Sequence, residues 1–542
     1  MTDILDQIVS RRRADIASLG YTLGTDVPEK RTRAEPVPFP APLSAQKGVV
    51  LEIKRASPSK GDIAPDLDAA HTATHYAAAG TTAISVLTEP HWFKGGLDDL
   101  QAAAKAADEY AAQNGTPRLA ILRKDFLVAP EEIEIAYRCG ADAVLLIARI
   151  LSAKELVTMT KTCAAHGMTA FIELREKTDL QKLAAVVQET GGNNIVCGVN
   201  ARDLQNFSID LLTPAALLSE IRQIAGNDAR VIFESGIRTP QAARFAGSLG
   251  FTAMLLGEAA ARNPSEARAL VSSFVHAPAT QNAAFWLEYA QKLYAKTSAP
   301  FAQKSIPTES AAHTKAAKSR PFVKICGLTN AEDALKSYEL GADFLGFIFW
   351  EKSLRRTDEK TVRAIRAAVR AQAQKDGKNA PKLVGVIVDA DTKDGKTVRS
   401  LVREGILDCI QLHGCAEDFF ALNDQNSAIS ETDLPHYAVV NVSTENDLGK
   451  IDSLRLCGEP RILIDASSAL SPGGTGKRIA DALVEKVSHK TKLWLAGGIT
   501  PDNVRDICTS FHPELIDIAS GTEAEPGKKD HAKLEALFRE LR

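Results

Sequence analysis

Val49-Val50-Leu51-Glu52-Ile53-Lys54 places two charges at alternate positions of an apolar, β-rich run. Side chains along a strand alternate between faces, so Glu52 and Lys54 share one face and Leu51 and Ile53 the other. With the apolar face on a helix layer, the charges point into the sheet interior. A charge in a packed interior is costly. The pattern is therefore expected where a closed barrel of strands opens at its C-terminal end and several charges meet. Four further apolar runs end similarly: Lys124 in Leu122-Arg123-Lys124-Asp125-Phe126, Glu173 in Phe171-Ile172-Glu173-Leu174, Asn200 in Gly198-Val199-Asn200-Ala201-Arg202, and Glu234 in Phe233-Glu234-Ser235-Gly236. Helix-facing ion pairs explain one such end easily but five poorly, so the reading is one mouth lined by convergent polar groups.

Working outward, strands are expected near 49–54, 82–87, 119–123, 143–147, 168–173, 195–199, 230–234 and 252–256, and again near 321–326, 344–349, 383–388, 408–412, 436–441, 461–464, 492–496 and 515–519. Ala- and Leu-rich helical stretches alternate with them, the signature of βα units and parallel sheets. Eight strands in each roughly 220- to 270-residue half match the (β/α)8 barrel. The expected fold is thus α/β, two consecutive TIM barrels joined by a linker. An open doubly wound sheet fits the strand number poorly and lacks a GxGxxG fingerprint. The expected division is 1–275 for a first barrel with an extra N-terminal helix, 276–320 for a linker rich in Ala, Ser, Thr, Pro and Lys, and 321–542 for the second barrel. Inside the linker, Asn282 to Lys296 carries Phe285, Tyr289, Leu293 and Tyr294, which predicts an amphipathic helix able to dock on a neighbouring barrel.

The bulk numbers agree with two large domains, since 542 residues exceed what one hydrophobic core supports. With 45% hydrophobic and 25% charged residues and a net charge of -3, nucleic acid is not an expected partner. The N-terminus lacks the apolar core of a signal, and no run of about 18 apolar residues suggests a membrane span. Eight cysteines without CxxC pairs or regular spacing to histidine argue against structural zinc and a disulfide framework. A reducing cytoplasm, no metal, no cofactor and no obligate protein partner are expected.

Anion sites are legible after several strands. Ser57-Pro58-Ser59-Lys60-Gly61 offers hydroxyls and backbone N–H groups, and Glu234-Ser235-Gly236 with Leu256-Gly257-Glu258 close the seventh and eighth strands, where this barrel recurrently binds phosphate. In the second half, alternation sets Lys324 and Cys326 together on the interior face, with Cys326 at the catalytic end. Arg461-Ile462-Leu463-Ile464-Asp465 ends in a carboxylate at the same rim. Gly473-Gly474, Gly497-Gly498 and Ser520-Gly521 then repeat the phosphate pattern.

The motifs LEIKRASPSKG, ISVLTEPHWFKGG, ILRKDFLV, GADAVLLIARIL, FIELREKTDL, GVNARDL, ESGI and LLGEAAAR resemble indole-3-glycerol phosphate synthases over residues 1 to about 270. That resemblance implies Lys124 as the general acid activating a ketone for ring closure and Glu173 as the base assisting dehydration. It also implies Glu52 and Lys54, with Asn200 beside them, as positioning and polarising groups. Phe93, Phe126 and Leu146 would cradle an anthranilate ring. Arg202 and Glu234 would contact substrate, and Ser57, Ser235, Gly236, Gly257 and the backbone N–H of Glu258 would surround a phosphate. Beside other cations, Lys124 is expected to have a lowered pKa. KICGLT, GADFLGFIF, QLHG, GGTGK, LAGGIT and SGTEAEPGKKD resemble phosphoribosylanthranilate isomerases over about 321 to 542. There the resemblance implies Cys326 as general base and Asp465 as general acid. It further implies a substrate-binding Arg355 and a phosphate held at Gly473, Gly474, Gly497, Gly498, Ser520 and Gly521. The usual Ser-Pro-Arg of that family is Ser353-Leu354-Arg355 here. His413 reads as structural. Together the resemblances imply a bifunctional enzyme of tryptophan biosynthesis acting on small phosphorylated anthranilates.

Overall fold

Short apolar strands buried on both faces can only stack into parallel sheets if helices cover the outside, and eight of them close on themselves. The computed structural model describes residues 4–40, 47–202, 208–257, 264–297, 320–421, 431–466 and 478–542. It divides into two units, Met1–Ala279 and Thr280–Arg542. In the first, β1 (Gly48–Ile53), β2 (Ala83–Leu87), β3 (Ala120–Lys124), β4 (Ala143–Ile147), β5 (Thr169–Leu174), β6 (Ile195–Asn200), β7 (Val231–Glu234) and β8 (Ala253–Leu256) form a closed barrel. Every neighbouring pair is parallel, and β1 closes the ring on β8 with Val50 opposite Leu255.

The interior of this barrel is apolar below and charged above. Val50, Ala83, Leu122, Leu145, Phe171, Val196, Ile232 and Leu255 belong to one buried cluster. The next interior positions toward the C-terminal ends are Glu52, Lys124, Glu173, Asn200 and Glu234. Gly198 makes room between these layers: a Cβ there would lie 2.3 Å from Glu234 Oε1 and 2.5 Å from Phe171 Cζ. The N-terminal helix Ile4–Leu19 buries Leu5, Ile8, Arg12 and Asp15, spaced to form one face.

The second unit repeats the closure with β9 (Phe322–Ile325), β10 (Phe344–Ile348), β11 (Lys382–Ile387), β12 (Cys409–His413), β13 (His436–Asn441), β14 (Ile462–Asp465), β15 (Trp494–Ala496) and β16 (Leu515–Ile518). Pairing of β9 with β16 sets Lys324 opposite Asp517. The stretch 276–320 is not uniformly a linker. Gln281–Thr297 is a helix of the second unit. Its Trp286 is fully buried 5.9 Å from the ring of Trp494, and Tyr289 stacks near Phe322 and Trp494. Glu514 ties this floor together by accepting hydrogen bonds from Tyr289 Oη at 2.7 Å, Trp494 Nε1 at 2.9 Å and Arg461 Nε at 2.6 Å. No helix among the described residues is long and apolar enough to cross a membrane.

Because this helix covers the floor, a fragment of residues 280–542 is expected to be more stable than one of 320–542. In the full chain, Trp286→Ala should destabilise the second unit by about 3–5 kcal/mol, the usual range for a buried aromatic truncation. Urea unfolding followed by circular dichroism measures both effects. Equal stability of the two fragments would show that the helix is dispensable.

Candidate active sites

At the first mouth, strand ends bring two ammoniums among three carboxylates. Lys54 Nζ donates to Glu52 Oε1 at 2.5 Å, Lys124 Nζ donates to Glu234 Oε2 at 2.8 Å, and Lys124 lies 3.5 Å from Glu52 Oε2. Burial alone would lower the Lys124 pKa, but Glu234, Glu52 and Glu173 outweigh it and the net direction is upward. The expectation of a lowered value is thereby corrected: the near neighbours of this ammonium are carboxylates, not cations. Three carboxylates against two ammoniums leave one negative charge in excess. Burial and the neighbouring Glu234 push Glu173 up to about 8, against smaller opposing effects of Lys124 and a hydrogen bond with Asn200. The cluster therefore retains a proton near neutrality.

One cavity holds Glu52, Lys54, Ser57, Phe93, Lys124, Phe126, Glu173, Asn200, Arg202, Ser235, Gly236 and Gly257. Phe93 and Phe126 form an apolar wall with ring centroids 5.9 Å apart. Ile4, Leu5 and Ile8 of the N-terminal helix complete the apolar lining. That helix is fastened through Arg12, which ion-pairs with Asp125, the residue after Lys124. Burial opposes ionisation of Asp125, yet Arg12 and Arg123 hold it at about 2. The opposite part of the lining is suited to an anion, with Ser57, Ser59, Lys60, Arg202 and Arg238 besides the Ser235-Gly236 turn. Ser235 is left-handed at φ 69° without being glycine, a strained backbone of the kind concentrated at ligand sites.

Two expected contacts differ. Leu145 and Ile147 line the cavity and Leu146 does not, because alternation along β4 turns Leu146 to the other face. Glu234 does not line the cavity either. It is fully buried beneath the floor, where it holds Lys124. Gly257 acts as a spacer as well, since a Cβ there would lie 2.5 Å from Glu52 Oε1 and 2.7 Å from Lys54 Nζ. Glu258 lies outside the described residues. Lys60, Arg238 and the helix residues were not singled out by sequence; only the periodic burial of the N-terminal helix carried a signal for the last.

The second cavity gathers Cys326, Arg355, Asp465, Gly497, Gly498, Ser520 and Gly521, with Gln411, His413 and Asp517. Lys324 Nζ sits beneath it, 2.6 Å from Asp517 Oδ2, 2.6 Å from Gln411 Oε1 and 3.3 Å from Cys326 Sγ. Burial pushes the Cys326 thiol up, with Lys324 as the main opposing influence. Burial and the charge of Lys324 hold His413 at about 4, so its imidazole is neutral near pH 7. Asp465 accepts the Ala466 N–H at 2.6 Å. Arg355 reaches across Gly327, where a Cβ would meet its Cδ at 2.8 Å, and pairs with Glu523 through Nε and Nη2 at 2.9 and 2.7 Å. Gly473 and Gly474 lie outside the described residues. Gln411, Tyr437 and Asp517 escaped sequence reading, although the odd carboxylate in Leu515-Ile516-Asp517-Ile518 carries the same interior-charge signal as Glu52. Among the described residues no group of His, Cys, Asp and Glu is placed to hold a metal ion.

Comparison with known proteins identifies the families that the two halves resemble. A profile of indole-3-glycerol phosphate synthase matches residues 5–272, and one of N-(5'-phosphoribosyl)anthranilate isomerase matches residues 323–540. A multifunctional tryptophan biosynthesis protein of Schizosaccharomyces pombe is 32% identical over 99% of this chain, which spans 66% of that longer protein. The tryptophan biosynthesis protein TrpCF of Vibrio parahaemolyticus is 31% identical over 92% of this chain and 86% of its own length. Among solved structures, the phosphoribosylanthranilate isomerase of Thermotoga maritima is 28% identical, with a TM-score of 0.32, covering 41% of this chain and 98% of that one.

The proton held by Glu173 makes stability depend on pH. An unfolded glutamate ionises near 4.5 whereas the folded one is raised to about 8, so between those values the folded state binds the extra proton. Its contribution is complete below the lower value and is lost as pH rises through the upper one. The stability of the first unit against unfolding should therefore fall between pH 5 and pH 8 by more than about 1.4 kcal/mol, the equivalent of one pH unit of displacement. Glu173→Gln should flatten that slope in urea titrations. Parallel curves for the two proteins would mean that Glu173 ionises normally.

Proposed function

Because this chain belongs to the family that joins an indole-3-glycerol phosphate synthase to a phosphoribosylanthranilate isomerase in tryptophan biosynthesis, we propose that its second barrel acts first and hands its product to the first barrel. In the second barrel, Asp465 protonates the ribose ring oxygen of N-(5'-phosphoribosyl)anthranilate, the ring opens to a Schiff base, and Cys326 removes the C2' proton. The resulting enolamine becomes 1-(2-carboxyphenylamino)-1-deoxyribulose 5-phosphate by tautomerisation. Gly497, Gly498, Ser520 and Gly521 hold the phosphate, and Arg355, steadied by Glu523, takes the substrate's remaining negative charge.

In the first barrel the ketone of that product meets the Lys124 ammonium, which donates to the carbonyl oxygen as the aromatic carbon attacks. Carbon dioxide then leaves and its bonding electrons restore the aromatic ring; Glu173, in its ionised form, takes the C1' proton while the hydroxyl takes a proton from solvent and departs as water, giving indole-3-glycerol phosphate. Phe93 and Phe126 supply the desolvated slot for the anthranilate ring, and Ser57, Ser235, Gly236 and Gly257 supply the anion end. The observation that carries this reading is the charged cluster itself. A fully ionised Lys124 and a Glu173 whose pKa is raised to near the working pH, where a carboxylate is a more effective base, occupy one cavity with an aromatic wall and an anion cradle. An acid, a base and both ends of a phosphorylated aromatic substrate are thereby in reach of one another.

Selective loss tests the assignment. Lys124→Ala should lower ring closure by about 10²- to 10⁴-fold, the usual contribution of a general acid, and leave isomerisation near its original rate. Cys326→Ala and Asp465→Ala should do the reverse. Supplying the isomerase substrate to the Lys124 variant and following indole-glycerol phosphate by chromatography should show the aminoketone phosphate accumulating. Full isomerase turnover by Cys326→Ala would return that cysteine to the status of a packed strand residue.

A further inference from the structure

The isomerase site carries a buried cation that the reaction outlined above does not use. Lys324 is fully buried, yet burial, which lowers its pKa, is outweighed by Asp517, Cys326 and Tyr437, so it stays charged. Its ammonium contacts Asp517 Oδ2 and Gln411 Oε1, each at 2.6 Å, and Cys326 Sγ at 3.3 Å. Gln411 is itself pinned, because Tyr437 Oη donates to the same Oε1 at 2.8 Å. The close approach is built into the fold: Lys324 and Cys326 are alternate residues of one strand, and the neighbouring β10 passes them with Gly346. A Cβ at Gly346 would lie 2.6 Å from Cys326 Sγ and 3.0 Å from Lys324 Cε. Any side chain there would force the pair apart.

We propose that Lys324 is a positioning residue of the isomerase reaction, its ammonium clamped by Asp517 and Gln411 within 3.3 Å of the Cys326 sulfur so that it favours the thiolate form that takes the substrate proton. This rests on the reading of Cys326 as the base. In the step, the C2'–H bond breaks and an S–H bond forms. The C–H electron pair becomes the new C=C bond, and the Schiff-base nitrogen recovers its lone pair. Lys324 keeps its proton throughout and never touches substrate. The other charged or titratable groups around the sulfur are Asp517 from β16, Tyr437 from β13, His413 from β12, Lys529 from the hairpin after β16, and Asp465 and Arg355 on the cavity lining. Burial and Asp517 disfavour the thiolate, and Lys324 is the larger of the two opposing cations, ahead of Lys529. Asp517 thus has a mixed part, repelling the thiolate slightly while securing the ammonium that favours it.

The test uses the full chain and reads the sulfur as well as the activity. Iodoacetamide labelling of Cys326, followed by peptide mass spectrometry across pH, reports the thiolate; isomerase kcat/KM across the same range reports the base. Lys324→Met is expected to move both midpoints upward together by more than one pH unit. Isomerase activity at pH 7 would then fall at least about tenfold and recover as pH is raised. Lys324→Arg, which keeps the charge, should restore the labelling midpoint. Lys324→Gln, which keeps a polar group for Asp517 and Gln411, should reproduce the upward shift and serves if the Met variant does not fold. Synthase activity and circular dichroism report folding. A uniform loss of activity at every pH with an unmoved labelling midpoint would overturn the proposal and leave Lys324 a structural ion-pair partner. Cys326→Ala that retained turnover would instead defeat the reading of the base, while the labelling midpoint would still decide whether the ammonium controls the thiol.

Discussion

The ion pair between Lys124 and Glu234 at 2.8 Å is the contact on which the first site depends. Neither group can be buried alone, because a lone charge in the barrel interior costs several kcal/mol. Together, with Glu52 Oε2 3.5 Å from the same ammonium, they make a charged layer tolerable above an apolar one. The same pairing sets the chemistry. Once Glu234 is committed to Lys124, Glu173 has no full cation of its own, and the least costly state near neutrality leaves a proton on it. A carboxyl with a raised pKa is thus a consequence of packing three carboxylates around two ammoniums.

The second barrel meets the same constraint with a different composition. Its interior cation, Lys324, has one carboxylate partner, an amide and a thiol. With the charge of Lys324 matched by Asp517, the thiol becomes the group whose protonation is open to tuning, and the imidazole of His413 is kept neutral by burial and by that cation. Both barrels therefore carry an interior lysine paired to a buried carboxylate. In one the lysine lines the cavity; in the other it is fully buried beneath it.

Glycine has a spatial part in both mouths. Gly198, Gly257 and Gly346 are not at positive φ, yet a Cβ at any of them would come within 2.7 Å of the side chain of Glu234, Glu52 or Cys326 respectively. They are the gaps through which charged side chains from adjacent strands reach each other. Gly327 and Gly497 combine that role with a left-handed backbone, at φ 77° and 90°. The N-terminal helix and the helix Gln281–Thr297 bound the barrels in a related way, one lining a mouth and the other covering a floor, each anchored by a buried charged contact.

What the sequence determined by itself was the periodic part. Alternation in Val49–Lys54, the count of eight apolar runs per half, and the charges ending those runs were enough for two barrels and for most of each site, because strand period and barrel closure are local rules repeated many times. It was weakest where a side chain's partner comes from another strand. Glu234 and Lys124 are 110 positions apart, and Lys324 and Asp517 are 193 apart, so no local pattern says that they pair. Leu146 was misassigned for the opposite reason: the strand was right, but a one-residue choice of face needs its register against β3 and β5. Likewise the direction of the Lys124 shift and the floor position of Gln281–Thr297 were settled only by the tertiary structure. Electrostatic environment and docking depend on which distant groups closure brings within a few ångströms, and that information is spread over the whole chain.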